Sequence, residues 1–242
     1  MDKITTIVKA ENLSFSYDSR ISPIFSGLNF IIKDEEFVSV LGKSGCGKTT
    51  LASILAGYLK PTSGRILIKD QSISRPGRNR ILVNQENDLF VWMTTIQNIS
   101  LVTNNKKDII SLLKLAGLYD SKDKYPKALS GGMKKRLSLV RALAVNPDFL
   151  ILDEPFSSLD HNTKSVLESE IDKIISSNKK STLLVTHDLD EAVFLSDRVI
   201  ILGGNPTEVK KTIRIDAAHP RSQEFRNSSY FNSIKQKINE SY

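Results

Sequence analysis

The sequence has almost no cysteine, no long apolar run and no excess of negative charge. It contains one cysteine, Cys46, among 242 residues, which excludes an intramolecular disulfide framework and a metal site built from several cysteines. No apolar run approaches the roughly 20 residues that a membrane-spanning helix needs. Residues 1–11 lack the apolar core of a secretory signal, so we expect a cytosolic protein.

The charge balance is basic, with 34 Lys and Arg against 27 Asp and Glu, a net charge of +7. Such an excess could serve nucleic acid, anionic lipid or an anionic small molecule. The basic residues are spread along the chain and form no long block, so nucleic acid is not an expected partner. The hydrophobic share of 40% is ordinary for a globular protein, which excludes a collagen-like, low-complexity or disordered chain.

Apolar periodicity predicts an α/β fold. Alternation at Leu13, Phe15 and Tyr17, and again at Leu28, Phe30 and Ile32, predicts two half-buried strands. Further strands are predicted over 37–41, 65–69, 80–83, 149–152, 182–186 and 198–202, and helices over 49–59, 162–175 and 189–195. Strands that alternate with helices imply a parallel sheet covered on both faces.

Three regions depart from simple alternation. Residues 86–147 are dominated by helical spacing and predict a helical insert, in which Ser130 caps a helix that runs to Ala144. The helix over 162–175 is expected to bury one stripe, formed by Val166, Leu167, Ile171, Ile174 and Ile175. Residues 1–204 are predicted to form one domain. Residues 205–242 are predicted to form a short tail with one terminal helix that carries Phe231, Ile234 and Ile238.

Residues 42–49 fit G-x-x-x-x-G-K-[ST], the pattern of a phosphate-binding P-loop, between a predicted strand and a predicted helix. Glycines permit a tight turn whose N–H groups face one anion, and the helix N-terminus adds partial positive charge. Lys48 is expected to reach the outer phosphates and Thr49 to hold Mg²⁺. A plain glycine-rich surface turn is the alternative. The predicted nucleotide-binding residues are Gly42, Lys43, Ser44, Gly45, Cys46, Gly47, Lys48, Thr49 and Thr50.

Two further segments suggest phosphate chemistry. The apolar run at 149–152 ends in Asp153 and Glu154; Asp153 could support Mg²⁺, and Glu154 could polarise an attacking water. A buried strand that merely stops at a charged turn is the alternative. Ser130, Gly131 and Gly132 open a predicted helix and leave bare N–H groups for an anion, although an ordinary serine cap would have the same residues.

Together these motifs resemble, in order and over about residues 7–204, the nucleotide-binding subunit of an ATP-binding cassette (ABC) transporter. Residues 129–133 resemble the LSGGQ signature, with Met133 in place of glutamine, and residues 157–160, which include Asp160, resemble the D-loop. Three single residues resemble the adenine-stacking aromatic, the Q-loop glutamine and the switch histidine of that family: Tyr17, Gln85 and His187.

The resemblance implies a P-loop NTPase fold with a mixed or parallel sheet core, an N-terminal antiparallel β subdomain and an inserted helical subdomain. It implies an ATPase that uses ATP and Mg²⁺, with Thr49, Gln85 and Asp153 near the metal and Glu154, His187 and Gln85 in catalysis. It also implies a head-to-tail homodimer, in which the 42–49 loop of one subunit and Ser130–Gly132 of the other share a nucleotide.

The resemblance further implies a peripheral subunit on the cytoplasmic side of the membrane, coupled to a permease through the Gln85 loop and residues 89–99. Trp92 either faces a groove for that permease or belongs to the core of the insert. The C-terminal segment resembles nitrate, sulfonate or taurine importers at Asn205-Pro206, at His219-Pro220-Arg221, and at Phe225 and Phe231. They imply a small anion or a pyrimidine-type precursor as solute, delivered by an extracytoplasmic binding protein.

Two other classes of function stay open at this point. One is a soluble ABC ATPase without a transporter, such as the iron–sulfur assembly type. The other is an unrelated P-loop kinase or GTPase, which would need neither Ser130–Gly132 nor His187.

Overall fold

The structure is a computed structural model that describes residues 5–18, 22–84, 89–157 and 159–241. Within these ranges it contains ten strands and eight α-helices. The strands are β1 (Thr6–Phe15), β2 (Phe25–Lys33), β3 (Phe37–Leu41), β4 (Ser63–Ile68), β5 (Gln71–Ser72), β6 (Arg80–Val83), β7 (Phe149–Asp153), β8 (Ser181–Thr186), β9 (Arg198–Gly203) and β10 (Glu208–Arg214). The helices are α1 (Lys48–Ala56), α2 (Thr95–Ser100), α3 (Lys106–Leu115), α4 (Gly131–Ala144), α5 (His161–Asn178), α6 (Leu189–Leu195), α7 (Gln223–Arg226) and α8 (Ser229–Asn239).

The strands form two sheets. A small antiparallel sheet has the order β2-β1-β4-β5, and a large sheet has the order β10-β9-β3-β8-β7-β6. In the large sheet the neighbours from β9 to β6 are parallel, and β10 alone runs antiparallel to its neighbour. The mixed main sheet, the N-terminal antiparallel sheet and the helices between β6 and β7 confirm the predicted fold class.

The large sheet is covered on both faces, and alternate residues of one strand enter different cores. In β3, Val38 and Val40 join the core that contains α1 and the small sheet. Phe37 and Leu41 join the opposite core, which contains α4, α5, α6 and α8. Because both faces of β3, β7 and β8 are buried, these strands have continuous apolar runs rather than alternation.

Parallel strands bring the loops of the predicted site to one edge of the sheet. Leu41 at the end of β3 pairs with Thr186 at the end of β8, and Asp153 at the end of β7 pairs with Val185. The segments that follow these three strands therefore meet beyond their carboxyl ends, where open α/β sheets bind ligands.

The C-terminal segment is more than the predicted single helix. Its terminal helix is confirmed as α8, which buries Phe231, Ile234 and Ile238 and packs against α6. In addition, residues 208–214 form β10 and extend the large sheet beside β9. Residues 205–241 thus pack against the rest of the fold. Among the described helices, none is both long and apolar enough to cross a membrane.

Two residue-level predictions are wrong. Val166 is 60% exposed although Leu167 beside it is buried, because successive positions on a helix point about 100° apart and Val166 lies on the side of α5 that faces away from the core. Tyr17 does not continue the first strand. After Phe15 the chain leaves β1, and Tyr17 is 69% exposed.

Candidate functional site

The loop between β3 and α1 has the backbone of an anion cradle. Gly45 and Gly47 have positive φ values of 83° and 90°, which glycine adopts without steric cost. A Cβ atom on Gly47 would lie 2.3 Å from the Ile24 side chain, so that position has no room for another residue. Gly47 caps α1 without a side-chain hydrogen bond among the described residues. The first N–H groups of α1 are therefore free to meet an anion.

Lys48 lies across this loop. Its side chain is buried, and Nζ donates hydrogen bonds to the carbonyl oxygens of Gly42 at 2.7 Å and Lys43 at 3.2 Å. The ammonium group is thus held at the mouth of the cradle rather than in bulk solvent. This position fits the predicted role of Lys48 toward the outer phosphates.

Thr49 and Asp153 come together from two different elements. Thr49 Oγ1 at the start of α1 lies 3.4 Å from Asp153 Oδ1 at the end of β7. Burial raises the pKa of Asp153, and Glu154 adds to that effect, while the Thr49 hydroxyl and Lys48 oppose it. A hydroxyl and a carboxylate are hard oxygen donors of the kind that Mg²⁺ takes together with phosphate and water.

A metal site built by protein ligands alone is not present in the described part of the chain. No group of three or more His, Cys, Asp or Glu side chains is placed to hold an ion there. Mg²⁺ characteristically binds one or two carboxylates plus substrate phosphates. Thr49 and Asp153 fit that partial donor set.

Glu154 and His187 form a pair beside this position. Glu154 follows β7 with a φ of 46°, in the left-handed region that costs a non-glycine residue about 1–3 kcal/mol. The backbone holds this turn because Glu154 N donates to Val185 O at 2.9 Å, and the Ser157 hydroxyl donates to Glu154 O at 2.9 Å. The Glu154 carboxylate lies 3.1 Å from His187 Nδ1. The two predicted catalytic side chains are therefore in direct contact.

Tyr17 lies beside the first turn of α1. Its hydroxyl is 3.1 Å from Thr50 Oγ1, and its ring meets Phe15 edge to face at a centroid distance of 4.9 Å. With 69% of its surface exposed, the ring offers a face for stacking. The alternative of Tyr17 as a strand residue is excluded, because β1 ends at Phe15.

The signature residues lie elsewhere in the same chain. Ser130 caps α4 and accepts a hydrogen bond from Met133 N at 3.2 Å. An added Cβ on Gly131 or Gly132 would meet Leu159 or Thr163, each at 3.8 Å. Among the described residues, no hydrogen bond joins Ser130–Gly132 to the P-loop. The structure thus places this helix N-terminus against the start of α5.

The remaining predicted residues are Asp160 and Gln85. Asp160 caps α5 by accepting a hydrogen bond from Thr163 N at 3.1 Å, and the hydrogen bonds from Thr163 lower its pKa. Asp160, which the resemblance to the D-loop makes a predicted nucleotide-binding residue, thus also stabilises the start of α5. Gln85, predicted for catalysis and for the metal, lies outside the described residues, as does Ser158 of the D-loop segment.

Sequence reasoning missed two polar residues that hold site segments in place. Lys164 on α5 lies 2.5 Å from Asp188 Oδ2 and 2.6 Å from Glu191 Oε1, next to His187. Asn98 is fully buried and bonds to Phe90, Met93 and Thr94. A lone lysine or asparagine within a helix has no distinctive pattern.

The chain matches known proteins along most of its length. The family model described as ABC transporter matches residues 25–157. The chain is 36% identical over 235 residues to the bicarbonate transport ATP-binding protein CmpD of Synechocystis sp., covering 92% of this chain and 83% of that protein. It is 35% identical over 243 residues to the aliphatic sulfonates import ATP-binding protein SsuB of Bacillus cereus, covering 97% and 94%.

The fold matches solved cassettes as well. The dimeric ATP-binding cassette MJ0796, in a post-hydrolysis state with ADP and Pi, superposes with a TM-score of 0.73 at 28% identity. That match covers 88% of this chain and 100% of the other. These findings confirm the predicted family, the fold and the ATPase activity, while the roles of single residues stay predictions. The chain belongs to the ABC transporter family and is one of its ATP-binding, ATP-hydrolysing subunits.

Proposed function

We propose that two copies of this chain close on ATP and drive uptake of a small anion through a membrane permease. The observation that carries the proposal is the separation of two anion-binding helix N-termini within one chain. The P-loop opens α1 at the sheet edge, while Ser130–Gly132 open α4 and contact Leu159 and Thr163. A head-to-tail pair would bring the cradle of one copy opposite the signature of the other.

Within each proposed site, different residues of the chain bind the phosphates, hold the metal and orient the attacking water. The P-loop N–H groups and Lys48 bind and neutralise the phosphates, and Thr49 and Asp153 would hold Mg²⁺, which would supply positive charge beside the phosphates. Glu154 accepts a hydrogen bond from the attacking water and orients it. His187, in contact with Glu154 through Nδ1, stands beside the terminal phosphate. Such positioned charge is a large term in phosphoryl transfer.

The permease surface is assigned to the segment before α2. Phe90, Val91 and Trp92 are exposed, and Trp92 shows 68% of its surface. The buried Asn98 side chain bonds to the backbone of this segment four times and holds it in one shape. The alternative of Trp92 in the core of the insert is thus wrong. A rigid exposed tryptophan is typical of an interface anchor.

The solute class is supported by the relatives alone. The names of CmpD and SsuB specify bicarbonate and aliphatic sulfonates, both small anions. This agrees with the predicted nitrate, sulfonate or taurine type of importer, and an extracytoplasmic binding protein is its proposed indirect partner. The same relatives favour a transporter over the soluble iron–sulfur assembly type.

The test of the shared site uses Glu154→Gln. This variant keeps the size and the hydrogen-bonding reach of the side chain but lacks the negative charge that orients water. We expect it to bind ATP and to lose most of its turnover, each tenfold loss being about 1.4 kcal/mol of barrier. With hydrolysis blocked, the ATP-bound dimer should persist at saturating MgATP in size-exclusion chromatography with light scattering.

The control is Glu240→Gln, which removes an exposed carboxylate near the end of the chain and should hydrolyse ATP like the unmodified chain. A Glu154→Gln chain that stays monomeric at saturating MgATP, with its permease supplied, would contradict the shared site. Undiminished phosphate release would remove Glu154 from catalysis.

A further inference from the structure

We propose that Lys164 is a positioning residue for ATP hydrolysis, which fixes the turn that carries His187. This inference rests on the proposed role of His187. Lys164 lies in the first turn of α5 and touches neither Glu154 nor the P-loop through any described contact. Its effect would therefore act through the backbone of residues 186–191.

Lys164 forms ion pairs with two carboxylates at once, those of Asp188 and Glu191. Lys164 Nζ lies 2.5 Å from Asp188 Oδ2 and 2.6 Å from Glu191 Oε1. The lysine side chain is 18% exposed, that of Glu191 6% and that of Asp188 35%, so solvent screens the pair with Glu191 little and the pair with Asp188 more. Such semi-buried charge pairs resist displacement more than exposed pairs do.

Both carboxylates that Lys164 contacts accept further hydrogen bonds within residues 186–191, Asp188 from backbone N–H groups and Glu191 from the Thr186 hydroxyl. Asp188 Oδ1 accepts from Asp190 N at 2.7 Å and from Glu191 N at 3.2 Å, which caps α6. Asp188 N donates to Thr186 Oγ1 at 3.0 Å, and the Thr186 hydroxyl donates to the Glu191 carboxylate. His187 lies between Thr186 and Asp188, so this closed set of bonds fixes its backbone on both sides.

Without the lysine the set would contain two close carboxylates and no cation. Burial raises the pKa of Glu191, and Lys164 is the main opposing influence. Burial also acts to raise the pKa of Asp188, but the contacts with Lys164, together with the backbone N–H groups of Glu191 and Asp190, outweigh burial and lower it. Removing the cation leaves repulsion between the carboxylates, and this is relieved if the turn moves. The His187 ring would then leave its position 3.1 Å from Glu154.

The lysine also connects this turn to the D-loop segment. Lys164 N donates to Asp160 O at 2.9 Å, and Asp160 caps the same first turn of α5 through Thr163 N. Leu159, next to Asp160, faces Gly131. Lys164 thus links the segment expected at the subunit interface with the turn of His187.

The experiment compares Lys164→Met, which keeps the length of the side chain without its charge, with Lys164→Arg, which restores a cation. We expect kcat of Lys164→Met to fall about tenfold to a hundredfold, as displaced catalytic groups do. ATP affinity should stay within about twofold, because the P-loop is untouched. Lys164→Arg should recover most of the activity.

The control is Lys235→Met, which removes the ion pair between Lys235 of α8 and Asp190 of α6. This pair holds the same helix but lies outside the bonds around His187, so its loss should leave kcat unchanged. A second measurement uses the NMR signals of the imidazole C2 protons, since the chain has three histidines. The His187 signal should shift in Lys164→Met and not in Lys235→Met.

Three results would overturn the inference. An unchanged kcat in Lys164→Met with an unshifted His187 signal would show that the turn does not depend on the lysine. A fall in melting temperature and ATP affinity that matches the fall in kcat would assign Lys164 to overall stability. Equal losses in Lys235→Met would assign the effect to α6 as a whole. An active His187→Ala chain would instead remove the proposed role of His187, whatever Lys164 does.

Discussion

At the scale of single residues, we propose that Lys48 acts on nucleotide rather than on the fold. Its buried ammonium group donates hydrogen bonds to two carbonyl oxygens of the P-loop. We expect Lys48→Ala to weaken ATP binding at least tenfold, about 1.4 kcal/mol, since a cation at the phosphates is lost. Titration with a fluorescent ATP analogue measures this change.

The matched control for Lys48 is Lys60→Ala, which removes an exposed lysine just beyond α1 and should leave ATP affinity unchanged. Equal affinity in Lys48→Ala and the unmodified chain would contradict the role. A lower melting temperature in Lys48→Ala alone would show that the lysine serves the loop's own structure.

Some residues of the site can be predicted from the sequence, and others cannot. The P-loop residues are predictable because they are consecutive and follow the buried strand β3, and Asp153 is predictable because it ends the apolar run of β7. Lys164 is not predictable in this way, because its partner Asp188 lies 24 positions away and no local pattern joins them. The contact of Glu154 with His187 likewise depends on the pairing of β7 with β8.

At the scale of elements, the C-terminal segment is held to α5 by a buried polar cluster. His219 Nδ1 lies 2.6 Å from Asp172 Oδ1, and Arg221 N donates to Asp172 Oδ2 at 2.6 Å. Arg221 also donates to the carbonyls of Val193 and Phe194 at the end of α6. The residues at 219–221 that resemble one group of importers thus act within the fold, away from the nucleotide residues.

This cluster predicts a pH-dependent stability. Burial alone lowers the pKa of His219, but the carboxylates of Asp172 and Asp197 outweigh burial and raise it above 6.5. A raised pKa means that protonated His219 stabilises the folded state fully below about pH 6.5, and that this contribution is lost as pH rises through the folded pKa. We therefore expect His219→Gln to lose more unfolding free energy at about pH 6 than at about pH 9.

Urea unfolding at the two pH values measures that difference. His161→Gln provides the control, because His161 is an exposed residue at the start of α5 and has no such carboxylate pair in the described structure. An equal loss at both pH values in His219→Gln would show that packing, rather than the charge of the imidazole, stabilises the segment.

The element scale also explains why the tail was only partly predicted. The helix α8 has a clear apolar face, and its three buried residues recur at helical spacing. Strand β10 has no such signal, because only Ile213 of its seven residues is buried and the rest face solvent in varying degree. Its position depends on pairing with β9, which a local pattern does not show.

At the scale of the whole molecule, one helix joins the nucleotide side to the proposed permease surface. The helix α4 begins at the signature residues, and near its other end the Arg141 guanidinium lies 5.3 Å from the ring centroid of Phe90. Phe90 in turn meets Trp92 edge to face at 5.4 Å. A shift of α4 as two copies close on ATP would therefore carry the exposed aromatic segment with it.

The last prediction concerns Trp92→Ala. Trp92 is 68% exposed, and Asn98 bonds to the backbone of Phe90 and Met93 on either side of it, so truncation should leave the fold and the ATPase activity of the free chain unchanged. Loss of an interface anchor costs about 2 kcal/mol or more, so recovery of a multi-span permease on the tagged chain should fall sharply. Tyr125→Ala removes another exposed aromatic residue of the insert and should retain the permease. Equal permease recovery by all three chains, quantified by mass spectrometry of the captured membranes, would move the coupling surface away from residues 89–94.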